Sequence, residues 1–393
     1  FTREKKGAEL VGEDQGGGFV MRYYWRDFIR KHFPHAQIMH VDHHTAHAAG
    51  AYYAGPWKDA TVVTFDGAGN LLSSIIAEGE NGVLHIRAKT FIPHSLGTFW
   101  GSVTKMCGFA SGTRHGGKVT GLAALGNPSK LIEVFRTLVW AKGNHIQVKE
   151  SAFFDADKLI PDWGAYVSEH LRPYVGDARR EDIAAGAQMR LEEVATDIVR
   201  HARRTVPHAK VVSAGGVFAN VRMNQKILEL PEVEDLYVFP AMSDGGLALG
   251  AALYVLAEER RRKGARLLPK LLETPYLGLA YSDEETESYL KGVSAIYTRD
   301  SQLTDTLGQL LSQDKIIALS VGRMEYGPRA LGNRSILYAT KDPKVNDWLN
   351  HRLNRSEFMP FAPVTLKEHI TERYVGIDAN PITASYMTVT YDC

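Results

Sequence analysis

One stretch constrains this chain more than any other: His40-Val-Asp-His43-His44-Thr-Ala-His47-Ala-Ala-Gly-Ala-Tyr-Tyr53, followed by Ala60-Thr-Val-Val-Thr-Phe-Asp66-Gly67-Ala-Gly69-Asn70. If a helix begins near Asp42, residues four apart stack on one face, and His43 and His47 present two imidazoles to one point. That is a metal-ligand spacing, suited to a first-row transition metal. Asp66, at the end of the next strand, is placed to add the carboxylate such sites commonly use. An isolated pair of this kind is more often core or capping material than a ligand set. The small residues Ala46, Ala48, Ala49, Gly50 and Ala51 shift the balance, because they suit a helix pressed against a sheet or carrying a ligand on its backbone.

Downstream, Leu71 to Glu78, an Asn81-Gly82 turn and Val83 to Phe91 read as a hairpin, since Asn-Gly between alternating apolar runs favours the tight primed turn. A strand, acidic turn, strand, strand order opens each half of nucleotide-binding folds of the actin and sugar-kinase type. In those folds glycines such as Gly67 and Gly69 let backbone N–H groups approach phosphate. Ahead of the histidines, the expected elements are a loop at Gly16-Gly-Gly18, an amphipathic helix from Tyr23 and a strand over Gln37 to Val41.

Several later segments have two readings. His115-Gly-Gly-Lys118-Val-Thr-Gly121 offers a glycine cradle with Lys118 for a phosphate, or a glycine-bracketed helix entry; the spacing is not that of a Walker loop. A long amphipathic helix from Ile183 to Val206 precedes a strand, Lys210 to Ala214, which closes on Gly215-Gly216 and opens into a helix from Asn220. Such a turn suits close approach of a flat or anionic ligand, or is a tight connection with none. After a strand at Leu236 to Phe239, Ser243-Asp244-Gly245-Gly246 starts a buried helix, Leu247 to Ala257. Asp244 either caps that helix or points at the metal.

Composition sets the outer bounds. A chain of 393 residues, 44% hydrophobic and 23% charged, has material for two or more cores. Pro269 to Pro275 marks the expected boundary, giving units 1–268 and 269–393. With 46 basic and 45 acidic side chains the net charge is +1, so no global field draws the protein to nucleic acid or to an anionic membrane. Cys107 and Cys393 are the only cysteines, which argues against a disulfide framework and for a cytoplasmic location. Leu247 to Ala257 is the longest apolar run and falls short of the ~20 residues a membrane span needs. The chain opens at Phe1-Thr-Arg without a Met and stops at Tyr391-Asp-Cys393 after an apparent strand, so both ends read as cut from something longer.

The most distinctive stretch follows a strand at Lys315 to Ser320: Gly322-Arg323-Met-Glu325-Tyr-Gly327-Pro328-Arg329-Ala-Leu-Gly332-Asn333-Arg334-Ser335. Arg323, Arg329 and Arg334 in a Gly- and Pro-fixed backbone read as a fork for an oxyanion such as phosphate, which guanidinium binds bidentately. A helix at Trp348 to Arg352 and a proline-constrained loop at Glu357 to Pro363 are placed to wall the same pocket.

Taken together and in order, His43-His-Thr-Ala-His47-Ala-Ala, Thr64-Phe-Asp66-Gly, Gly215-Gly216-Val-Phe-Ala-Asn220, Ser243-Asp244-Gly245 and Gly327-Pro-Arg329-Ala-Leu-Gly-Asn-Arg334-Ser resemble the O-carbamoyltransferases of the nodulation-factor and antibiotic-tailoring family. The resemblance covers nearly the whole chain. It implies an α/β enzyme with an actin-like (ASKHA) two-lobed domain similar to the tRNA threonylcarbamoyladenosine transferase, and a partial C-terminal α/β domain similar to threonylcarbamoyl-adenylate synthase. It further implies that ATP with Mg2+ and carbamoyl phosphate give carbamoyl-adenylate in the smaller domain, and that the larger domain transfers the carbamoyl group to a hydroxyl of a small-molecule acceptor, a natural product or sugar. His43, His47, Asp66 and Asp244 match the family's metal ligands, usually Fe2+. The Gly215-Gly216 turn matches the adenylate loop, and Arg329 with its neighbours matches the carbamoyl phosphate site. Asp66 and Arg329 are the expected catalytic residues. Gly67, Gly69, Lys118, Gly121, Gly215, Gly216, Asn220, Arg323, Arg329 and Arg334 are the expected cofactor contacts. A His-Asp-Ser segment that the family carries ahead of Phe1 is absent here, and Asn354 stands where a basic residue is expected. Neither a nucleic acid nor a membrane is an expected partner, and the oligomeric state is left open. Two rival classes are a tRNA-modifying threonylcarbamoyl transferase, which needs a basic RNA-binding surface, and a non-catalytic nucleotide-binding protein on the same scaffold.

Overall fold

The structure, a computed structural model, describes residues 18–110, 115–153, 166–339, 344–352, 361–377 and 381–393. Helix α1 (Gly18–His32) leads through an extended segment to α2 (His43–Tyr53). A meander of β1 (Asp59–Gly69), β2 (Leu72–Glu80) and β3 (Val83–Phe91) follows. Next come α3 (Leu96–Met106), α4 (Gly116–Ala123), α5 (Ile132–Leu138), a small hairpin of β4 (Val139–Lys142) and β5 (His145–Val148), α6 (Tyr166–Val175) and the long α7 (Arg180–Thr205). The chain then re-enters the sheet with β6 (Lys210–Ala214), α8 (Val221–Leu228), β7 (Asp235–Val238) and α9 (Leu247–Arg262). The sheet order is β3-β2-β1-β6-β7, with β6 parallel to β1 and β7 parallel to β6.

The central strand explains the layering. Ala60 to Phe65 are all buried, and successive side chains point to opposite faces, as a strand covered on both sides requires. Val62, Ile75, Val212, Ala214, Tyr237 and Phe239 face the α2 side, while Val63, Phe65, Ile76, Val211, Leu236 and Val238 face α3 and α7. The small residues of α2 have a reason in packing. Its backbone lies so close to α9 that a Cβ on Gly250 would fall 1.9 Å from the Ala46 carbonyl oxygen.

Three expectations change. Gln37 to Val41 is not a strand; it is largely exposed, and the sheet edges nearest in order are β3 and β7, neither of which it joins. Helix α9 is not buried throughout: only Gly250 and Ala257 are, because one face packs on α2 and the other, with Leu256, meets solvent. Of the two readings of Gly116 to Gly121, the structure shows the helix entry: these residues form the first turns of α4. Thr388 to Tyr391 joins no ladder, its Thr390 N–H donating instead to the Val221 carbonyl oxygen. Residues 1–17 and 353–360 lie outside the described residues, and with them Gly16 and Gly17 of the expected loop, Asn354 and most of the proline loop at 357–363, while Gly18 opens α1.

Beyond α9 the chain is thinner. It contains α10 (Asp283–Gly292), opened by a Ser282/Glu285 capping box, then α11 (Leu303–Ser312), the hairpin β8 (Ile317–Ser320) and β9 (Arg334–Leu337), and α12 (Val345–Arg352). No residue of α10 or α11 is buried. Backbone bonds from Lys270 and Leu272 to the carbonyls of Tyr53 and Ala54 tie this part to α2, and Thr388 and Thr390 bond α8. The architecture is mixed α/β, and among the described residues it has one five-stranded sheet.

Candidate metal centre

Asp42 ends an extended segment and caps α2, its Oδ1 accepting from the N–H groups of His44 and Thr45 at 3.1 and 3.2 Å. From that start His43 and His47 fall one turn apart on the face toward the carboxyl end of β1. His47 is wedged in the core with 1% of its side chain exposed, and His43 keeps 17%. The His43 ring lies flat against Gly69, where any Cβ would come within 2.1 Å of a ring carbon. β1 leaves its regular register between Phe65 and Gly69, which turns Asp66 toward the two rings. The Asp66 backbone is held by Ser95 Oγ, 2.9 Å from its carbonyl oxygen, and its Oδ1 accepts from Gly67 N–H at 2.6 Å.

Four donor atoms converge. His47 Nε2 stands 2.8 Å from Asp66 Oδ2 and 3.1 Å from His43 Nε2, and His43 Nε2 stands 3.4 Å from Asp66 Oδ2. Asp244, on the loop after β7, brings Oδ1 to 3.6 and 3.7 Å from the two imidazole nitrogens, with its carboxyl 74% exposed. Its side chain makes no capping bond to α9, so of its two readings the geometry favours the one directed at the histidines. Ligands with bonds of about 2.0–2.2 Å, set about 90–109° apart around one ion, are separated by about 3.0–3.4 Å, close to the spacings found here. Two imidazole nitrogens facing each other at 3.1 Å cannot both carry a proton, and loss of the shared one frees both lone pairs for a cation. The donor set, two nitrogens and two carboxylates with room left over, suits Fe2+, Zn2+ or Co2+.

The electrostatics agree. Burial of Asp66 opposes its ionisation, but bonds from His43, His47 and Gly67 N–H outweigh it and hold the carboxyl well below the usual carboxylate range. Burial works against protonation of His47, and the carboxylates of Asp244 and Asp66 overcome it, raising its basicity. His44 is different. Burial drives it down to about 4, so it is neutral, bridging Thr64 Oγ1 at 2.8 Å and the Leu72 carbonyl oxygen at 3.1 Å as a structural strut.

The other expected contacts fall into two groups. Gly67, Gly69, Gly215 and Gly216 share the carboxyl edge of the parallel strands with the four donors, the edge at which open α/β sheets bind ligands. Gly215 has φ +106 and presses on β1, where a Cβ would sit 2.2 Å from the Phe65 carbonyl oxygen; a Cβ on Gly216 would stand 3.1 Å from Asp66 Oδ1. Asn220 is engaged within the fold, capping α8 at Met223 N–H and bonding Gln188 and Thr120. Lys118 lies on α4 with its ammonium 5.8 Å from the Phe109 ring, and Gly121 lies on the same helix. The three arginines are not gathered on a common acceptor. Arg329 Nη2 donates to the Ala219 carbonyl oxygen at 2.8 Å, Arg323 Nε to that of Gly278, and Arg334 to those of Val321 and Gly322. Arg329 nonetheless reaches the turn that follows Gly215-Gly216, and its Nε is buried without a hydrogen-bond partner.

Sequence reasoning missed Asn70, Ser95 and Glu325. Glu325 is the hub of the arginine loop: its Oε1 accepts from the N–H groups of Leu331, Asn333 and Arg334 at 2.9, 2.9 and 3.0 Å. Its signal was a lone carboxylate inside a Gly-Pro-Gly framework. A second cluster, Glu78, Glu80 and His208, lies near the opposite end of β1, but the Arg87 guanidinium already neutralises Glu78, which makes it an ion-pair network.

Comparison with known sequences fits this geometry. A family model described as the carbamoyltransferase N-terminus matches residues 12–253, and one described as the carbamoyltransferase C-terminus matches residues 308–393. The chain belongs to the carbamoyltransferase family. Nodulation protein NolO of Bradyrhizobium diazoefficiens is 30% identical over 84% of this chain and 59% of its own length. An uncharacterized protein of Methanocaldococcus jannaschii is 33% identical over 83% of this chain and 56% of its own, and one of Synechocystis is 29% identical over 90% and 59%. This carbamoyltransferase-family chain thus spans less than two thirds of these relatives. No helix among its described residues is long and apolar enough to cross a membrane.

Proposed function

We propose that the protein is an O-carbamoyltransferase whose transfer centre is His43, His47, Asp66 and Asp244, with residues 1–268 forming an actin-like transfer unit and residues 269–393 belonging to a unit that makes carbamoyl-adenylate. The observation that carries this is the convergence of the four donor atoms beside the Gly215-Gly216 turn. A sheet with an antiparallel meander, β1-β2-β3, on one side and β6 and β7 parallel to β1 on the other supports the actin-like part.

A carbamoyl group bound to AMP has a good leaving group. Attack by an acceptor hydroxyl forms the new C–O bond, breaks the bond to the AMP phosphate oxygen, and releases AMP and the hydroxyl proton. Asp66, held ionised, and the two imidazoles would hold a divalent cation, Fe2+ in the first instance, whose charge polarises the carbamoyl oxygen or orients the adenylate phosphate. The backbone at Gly67 and Gly216 lets a ligand approach that edge closely, Gly69 makes room for the His43 ring, and Arg329, reaching from the C-terminal part, adds a fixed positive charge near it. ATP with Mg2+ and carbamoyl phosphate are the proposed co-substrates, and the acceptor is a hydroxylated small molecule. The test supplies the protein with ATP, labelled carbamoyl phosphate and a panel of hydroxylated sugars and natural products. Labelled carbamate ester with stoichiometric AMP supports the proposal; ATP-independent transfer, or none across the panel with no carbamoyl-dependent pyrophosphate release, refutes it.

A further inference from the structure

We infer that Asn70 is a positioning residue for the metal centre, fixing His43 through the first N–H of α2; this rests on the proposal that His43 ligates a metal. The first N–H groups of a helix lack partners within it. In α2 each is accounted for: those of His44 and Thr45 go to Asp42 Oδ1, that of Ala46 goes to the Asp42 carbonyl oxygen, and that of His43 goes to Asn70 Oδ1 at 3.0 Å. The last bond is unlike the others because its acceptor arrives from another element, 27 residues later.

The turn that delivers it is constrained. Gly69 pairs with Leu72 across a two-residue loop in which Asn70 and Leu71 have φ of +51 and +68. That is the primed turn in which Asn is at home at the first position and glycine is preferred at the second, so an exposed leucine there holds a conformation L residues disfavour. Gly69, in the same turn, is the floor on which the His43 ring lies. One turn thus touches His43 at both its backbone N–H and its ring. His47 needs no such help, since the core surrounds it. His43 is the more exposed imidazole, and its register against Asp66 depends on this clamp.

Asn is also favoured in a left-handed turn for conformational reasons alone, so the test separates the two roles. Asn70→Gly keeps the turn and removes the acceptor; Asn70→Asp keeps both. Co2+ is titrated into the full chain, with its d–d absorption reporting ligation, and hydrogen exchange at the His43 amide is measured without metal. The expected result is ~tenfold weaker Co2+ binding and faster His43 exchange for Asn70→Gly, with Asn70→Asp near wild type, the size usual for losing an outer-shell partner. Wild-type binding with unchanged affinity and exchange in Asn70→Gly overturns the clamp and leaves the metal reading standing. Equal weakening in both variants also overturns it, because the acceptor is then not what matters. A wild-type chain that binds no Co2+ overturns the metal reading and the clamp together.

Discussion

The histidine–aspartate centre and the arginine loop were both drawn from residue spacing, and the fold treats them differently. In the first, helix geometry and a strand end on the central sheet fix the directions of short, stiff side chains, and four donor atoms come together. In the second, long side chains leave a loop around Glu325 and each guanidinium finds its own backbone carbonyl. Spacing foretells a site when the backbone carrying it is packed on both sides. It foretells much less where α10, α11 and the β8–β9 hairpin offer little burial.

That contrast can be broken at several points. The largest effect is expected for His47→Ala, which removes the buried member of the proposed ligand set. Metal affinity should fall by more than the ~10–100-fold typical of outer-shell losses, and carbamoyl transfer should vanish while carbamoyl-dependent ATP turnover continues. Metal content by mass spectrometry with paired activity assays checks this, and full transfer by a metal-free variant would break the contrast. Next is Gly215→Ala. A left-handed φ and the nearby Phe65 carbonyl should cost about 1–3 kcal/mol, read as a lower denaturation midpoint. An unchanged midpoint would mean that the turn beside the centre is less rigid than its geometry requires.

Glu325→Gln sharpens the other side. Weakening three bonds to one carboxylate should speed amide exchange at Leu331, Asn333 and Arg334 by ~tenfold, in keeping with charge-assisted bonds being about twice as strong as neutral ones. The pH dependence has a definite sign. Burial opposes ionisation of Glu325, but the loop N–H groups prevail and hold it below its ordinary value. Its contribution is therefore complete above the ordinary Glu pKa of about 4.3 and is lost as pH falls through the lower folded value. Rising protection on acidification would contradict this. The smallest effects separate two arginines. Arg329→Ala should raise the carbamoyl phosphate requirement several-fold, because Arg329 reaches the 216–219 turn, whereas Arg323→Ala, on an exposed carbonyl, should change it less than ~twofold. Equal effects would mean that the arginines act as one cluster after all.

Much of the four-donor cluster was legible because its cues are local. The four-residue step from His43 to His47 and the strand ending at Asp66 follow from backbone periodicity; the glycines at 215–216 left two readings open, and their place in a site came from the family resemblance. From the residues alone Asp244 stood open between two roles, since a carboxylate before a helix normally caps it; the family resemblance placed it with the metal ligands, and the β7 loop brings its Oδ1 to 3.6 and 3.7 Å from the histidine nitrogens. Asn70 and Ser95 left no periodic trace, because each acts on a backbone group far along the chain. Helix α9 read as buried because its apolar run has no polar face, yet it lies outside α2 and packs on one side. Gln37 to Val41 carries apolar and β-branched residues, as a strand would, but meets no sheet edge.

Metal-edge anomalous diffraction or X-ray absorption on the protein loaded with Fe2+ addresses the centre most directly. The expected result is one ion about 2.0–2.2 Å from Nε2 of both His43 and His47, with carboxylate oxygen from Asp66 completing the near ligands. An ion bound instead at Glu78 and His208, or none held by the two histidines, would contradict it.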